Sequence, residues 1–135
     1  MTLAFVGELE PGRLAALAAA LDDAIPRCGP ATAVLGPRTE RSGPGVLWVP
    51  VGGLDALAAA ARRAAGAAGC PVADEQFRGH LTLARARGRR RLPSALTGAP
   101  VSASWTVGEV RLVTSVLEAT GARYEVAGAA RLVPG

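Results

Sequence analysis

The chain holds a single histidine, His80, two positions before Thr82 in the stretch Phe77-Arg78-Gly79-His80-Leu81-Thr82-Leu83-Ala84-Arg85. The run alternates as a β-strand does, so His80 and Thr82 are expected on one face, with Leu81 and Leu83 buried on the other. An imidazole can accept or release a proton near neutral pH, and a threonine hydroxyl can donate to a phosphate oxygen. Side by side, the two point to phosphate chemistry without a metal. A solitary histidine, however, is more often a hydrogen-bonded structural residue, so the pair needs support from the rest of the chain.

Part of that support is a second, incomplete copy. Met1-Thr2-Leu3-Ala4 repeats Leu81-Thr82-Leu83-Ala84, and the position matching His80 falls just before Met1. A chain this rich in alanine and leucine can produce a second Thr-Leu-Ala by chance. The surrounding elements must therefore decide whether the repeat is structural.

Those elements fall into two similar halves. Thr2 to Val6 is predicted as a strand, and Leu14, Leu17, Ala18 and Leu21 recur at helical spacing over Pro11 to Ala24. Pro26 and Gly29-Pro30 end that helix. Thr32 to Leu35 is a short predicted strand, Gly36 to Gly45 a loop rich in proline and glycine, and Val46 to Val51 a strand with Trp48 read as core. Leu54, Leu57, Ala58, Ala61 and Ala65 mark a second helix that Pro71 stops. The His80 strand follows, so each half is expected to bring a Thr-Leu-Ala strand to the middle. Ser102 to Val107, Glu109 to Ser115 and Arg123 to Ala129 are three further strands, with Tyr124 and Val126 alternating as on a half-buried surface.

The 135 residues suit one domain, residues 1–135, and no apolar run reaches the roughly 18 residues of a membrane span. A soluble cytoplasmic protein without membrane contact is the expectation. Cys28 and Cys70 are read as reduced core thiols with no chemistry of their own. The net charge of +4 comes entirely from arginine, since the chain has no lysine. Arg87, Arg89, Arg90 and Arg91 concentrate that charge just after the His80 strand. The run reads either as a solvated loop or as the contact for an RNA backbone.

The Phe77 to Arg85 motif, with Thr2-Leu3-Ala4-Phe5-Val6-Gly7-Glu8, resembles the 2H phosphoesterase superfamily, and within it the RNA 2′,3′-cyclic phosphodiesterases, also called 2′-5′ RNA ligases. Val46-Leu47-Trp48-Val49, Leu112-Val113-Thr114-Ser115 and Gly121-Ala122-Arg123-Tyr124 fall where that family has similar segments. The resemblance implies an α+β, two-lobed, pseudo-symmetric fold of antiparallel sheets with flanking helices around a central cleft, its first lobe incomplete here. It implies hydrolysis of RNA 2′,3′-cyclic phosphate ends to 2′-phosphates, and in reverse a 2′-5′ ligation, with no metal and no cofactor. His80 is carried over as one acid–base group, Thr2 and Thr82 as phosphate-binding hydroxyls, and Arg85 as a further phosphate contact. Arg85 has the wrong parity on an ideal strand, so a bend would be needed to bring it to the His80 face.

The family carries two His-x-Thr motifs, whereas the sequence here has only the second histidine. One expectation is an alternative start codon at Met1, the whole protein reading His-Val-Thr-Leu-Ala-Phe through the first motif. The alternatives are an RNA-binding or regulatory module without catalysis, and a phosphodiesterase for another cyclic phosphate in which Glu8, Glu10 or Glu75 approaches the site. The chain is expected to be a monomer, with association possible along an exposed edge at Thr2 to Val6.

Overall fold

Leucines at helical spacing place the first helix. In a computed structural model of the chain, which describes residues 1–134, α1 spans Pro11–Ala24 and buries Leu17 and Leu21. Pro11 sits at the start of α1, where its missing N–H costs no helical hydrogen bond. The second helix, α2, spans Asp55–Ala67 and buries Leu57, Ala58, Ala60, Ala61, Ala64 and Ala65. Small alanine side chains let neighbouring elements approach closely, and α1 packs directly on α2.

Seven strands follow the alternation of the sequence: β1 (Ala31–Leu35), β2 (Glu40–Arg41), β3 (Val46–Gly52), β4 (His80–Arg85), β5 (Ala103–Val107), β6 (Glu109–Glu118) and β7 (Gly121–Arg131). A five-stranded antiparallel sheet runs β2-β3-β1-β5, with β4 joined to β3, and β6 with β7 forms a separate antiparallel hairpin. The result is an α+β fold of antiparallel sheets and two helices. Its core brings Leu17, Leu21 and Ile25 together with Leu54, Leu57 and the α2 alanines, Ala33 of β1, Val51 of β3 and Ala130 of β7. Cys70 lies within this core and Cys28 packs against it, both as free thiols.

Four expectations from the sequence are corrected. Thr2 to Val6 forms no strand. Leu3, Ala4, Val6 and Leu9 pack against the core, but the segment pairs with no neighbouring strand, and alternation without a hydrogen-bonded partner does not make a ladder. The two halves are therefore not equivalent, because only the second brings its Thr-Leu-Ala into a sheet. Leu81 and Leu83 are 39% and 49% exposed rather than buried, since β4 pairs only with β3 and lies at the sheet edge. Tyr124 and Val126 are likewise exposed, at 70% and 59%, on the outer half of the hairpin.

The segment from Gly36 to Gly45 is also more ordered than a plain connector. It contains β2, which pairs with Leu47 and Trp48. The buried Thr39 hydroxyl donates to the Leu96 carbonyl and accepts from the Ala99 amide, tying this segment to the one before β5.

Candidate active site on strand β4

The site begins with the register of β3 against β4. Pro50 opposes His80 and Trp48 opposes Thr82, and residues directly opposite in an antiparallel pair share a face. Between Trp48 and Leu47 the register shifts, so that Leu47 opposes Ala84 and Val46 opposes Arg85. Leu83 is the extra residue of a β-bulge, and the bulge reverses the parity beyond it. Arg85 opposes Val46, which shares a face with Trp48 and Pro50. His80, Thr82 and Arg85 consequently occupy one face of the sheet. The bend that the sequence alone required is present.

The His80 imidazole is fixed from two directions. Nδ1 lies 2.7 Å from the Arg78 carbonyl oxygen, which can only accept, so Nδ1 carries the proton and Nε2 is the bare nitrogen of the neutral ring. The Trp48 indole stacks on the same ring, with centroids 4.3 Å apart and planes inclined at 39°. Sequence reasoning placed Trp48 in the core; it is instead half-buried beside His80. Finding it required the strand register, which local sequence does not encode.

Gly79 sets the backbone at this point. The Val51 amide donates to the Gly79 carbonyl at 2.8 Å, extending the β3–β4 contact one residue before His80. A Cβ on Gly79 would overlap the Val51 carbonyl oxygen, so this approach requires glycine. Phe77, partly buried against the core, closes the same corner.

The neighbouring polar groups are available to a ligand. Among the described residues, threonine hydroxyl hydrogen bonds are made by Thr39 and Thr114, not by Thr82. Ion pairs involve Arg27, Arg62, Arg111 and Arg123, leaving Arg85, Arg87, Arg89, Arg90 and Arg91 without carboxylate partners among those residues. All five guanidinium-bearing residues are exposed. Their loop is held in place by its backbone: the Ala86 amide donates to Gly45, the Leu92 amide to Pro44, and the Arg41 guanidinium to the Leu92 carbonyl. This arrangement can bind an anion beside a histidine able to move a proton. Thr2 is exposed on the irregular N-terminal segment and does not join the ladder that holds His80 and Thr82.

Comparison of the whole fold bears on this geometry. TT0787 of Thermus thermophilus superposes with a TM-score of 0.77 at 25% identity, over 98% of this chain and 77% of that one. A phosphoesterase gives 0.74 at 25% identity, over 98% and 75% of the two chains. Escherichia coli LigT complexed with 3′-AMP gives 0.73 at 26% identity, over 98% and 75%. The chain has a LigT-like fold. This likeness supports the resemblance to the 2H phosphoesterase superfamily, which the His80 motif raised independently. No family model matches the sequence, and no curated protein matches it. Among the described residues no helix is long and apolar enough to cross a membrane.

Proposed function

We propose that the chain is a phosphodiesterase of the 2H type that hydrolyses RNA 2′,3′-cyclic phosphate ends to 2′-phosphates. The observation that carries the reading is the shared face of His80, Thr82 and Arg85 on β4. In this mechanism the Thr82 hydroxyl and the Arg85 guanidinium hold the phosphate oxygens and stabilise the charge that develops on them. His80, through the bare Nε2, takes a proton from the attacking water or, once protonated, gives one to the departing ribose oxygen. The strained cyclic phosphate is already activated, so the reaction needs positioning and proton transfer. Thr2 is the proposed second phosphate-binding hydroxyl. The same site, with an RNA 5′-hydroxyl replacing water, would form a 2′-5′ linkage.

Two proton-transfer groups serve such a reaction, and His80 is the proposed first of them. The test is turnover of an RNA ending in a 2′,3′-cyclic phosphate by the wild-type chain and by His80→Ala. The variant is expected to lose about 10²- to 10⁴-fold in kcat while its thermal unfolding stays unchanged. Equal turnover by both proteins would overturn the reading.

A second reading is favoured by the arginines that have no carboxylate partner among the described residues: an RNA-binding module in which catalysis plays no part. On that reading His80→Ala spares RNA affinity, whereas changes at Arg87, Arg89, Arg90 and Arg91 weaken it. The LigT neighbour bound to 3′-AMP is compatible with either, because both require a site for a nucleotide.

A further inference from the structure

We propose that Trp48 is the positioning residue of His80, an inference that rests on the reading of His80 as a proton-transfer group. Its origin is the unequal footing of the two strands. Strand β4 has one partner and its side chains stand at a sheet edge. Trp48, by contrast, is held on both sides, by Glu40 of β2 and by Thr82 of β4. The orientation of an edge residue is therefore set by a side chain whose own backbone is gripped from two directions.

The geometry divides the work between two contacts. The hydrogen bond from Nδ1 to the Arg78 carbonyl chooses the tautomer, but one hydrogen bond still allows the ring to swing about it. The indole face at 4.3 Å blocks that swing. Trp48 directly opposes Thr82, so it reaches His80 diagonally, a separation that aromatic side chains span. One platform thus fixes the imidazole relative to the hydroxyl beside it.

Trp48 carries a polar group that its surroundings do not use. Its Nε1 is buried and has no hydrogen-bond partner among the described residues, as is also true of the Arg41 Nε. An unpaired buried N–H is destabilising, and phenylalanine would offer a ring face without that defect. What the larger indole adds is ring area against the imidazole. The Leu83 bulge lies on the facing strand directly beyond Thr82, where it re-aims the neighbouring side chains.

The test uses the full chain and its lone histidine, whose ring nitrogens give unambiguous signals in long-range ¹H–¹⁵N NMR. At a pH where the imidazole is neutral, the wild-type chain should show one tautomer, protonated at Nδ1. Trp48→Phe keeps an aromatic face and should retain that tautomer. Trp48→Leu should give a mixture that includes the Nε2-protonated form. It should also lose about 10- to 100-fold in kcat on a nucleoside 2′,3′-cyclic phosphate, with KM little changed.

Trp105→Leu, on β5, serves as the control for loss of a tryptophan elsewhere, and amide spectra report whether each variant is folded. A folded Trp48→Leu that keeps the single tautomer overturns the proposal. Retention of the tautomer in Trp48→Phe assigns the clamp to an aromatic face, whereas loss there as well assigns it to the full area of the indole, and either supports Trp48 as the positioning residue. If Trp48→Leu mixes the tautomers while neither it nor His80→Ala changes turnover, the clamp is supported and the phosphodiesterase reading fails.

Discussion

Arg85 lies on the His80 face of β4 although five positions separate the two residues. On a regular strand an odd separation points side chains to opposite faces. The extra residue at Leu83 reverses that parity, and it does so between Thr82 and Arg85, leaving His80 and Thr82 aligned. A guanidinium, a hydroxyl and an imidazole are brought to one surface by a local irregularity rather than by a loop.

If this shared face binds phosphate, Arg85→Ala should weaken it by the worth of a charge-assisted hydrogen bond, about 1.5–3 kcal/mol, or roughly 10- to 100-fold in KM or Kd. Arg85→Lys should recover part of the loss, since it restores the charge but not the planar, bidentate fork. Titration with 3′-AMP, followed by NMR or calorimetry, measures both variants.

Gly79→Ala should damage the site from behind. The new methyl group meets the Val51 carbonyl oxygen, so the strands must separate at the pair that precedes His80. A destabilisation of about 1–3 kcal/mol is expected in chemical denaturation, as for other overpacked sites. The His80 ring should lose its single tautomer in the same variant.

The arginine loop should report on the nucleic-acid backbone and not on chemistry. Replacing Arg89, Arg90 and Arg91 together with alanine should weaken binding to single-stranded RNA. If all three contact phosphates, the slope of log K against log salt should become shallower by about 2, at roughly 0.7 per contact. Turnover of a nucleoside 2′,3′-cyclic phosphate, which has no further RNA backbone, should be retained. Fluorescence anisotropy over a salt series checks the first expectation, and steady-state kinetics the second.

Two leucines should separate core from surface. Leu57 is 1% exposed among the helices and sheet, and Leu57→Ala should cost about 2–5 kcal/mol of stability. Leu117 is 87% exposed on the hairpin, and Leu117→Ala should change stability by less than about 0.5 kcal/mol. Urea denaturation of the two variants measures the contrast.

Much of the fold was legible because it follows from local rules. The leucine and alanine spacing located α1 and α2 to within a few residues, with Pro11, Pro26 and Pro71 marking where helix could begin or had to stop. Alternation located β3, β4 and the closing hairpin strands, and the His80–Thr82 pair shared a face as expected. Burial was less legible. Leu81, Leu83, Tyr124 and Val126 have the pattern of a covered surface, yet each is exposed, because covering depends on which element packs there.

By itself the sequence determined which segments could be helix or strand, and that one of them carried an imidazole beside a hydroxyl. Tertiary structure decided whether those segments found partners. Thr2 to Val6 had the residues of a strand but pairs with none, whereas Leu83 acquired a bulge only against β3. The position of Arg85 and the stacking of Trp48 on His80 both follow from that register. Helical spacing is set by neighbours three and four residues away, but the β3–β4 register is set by residues thirty or more positions apart in the chain.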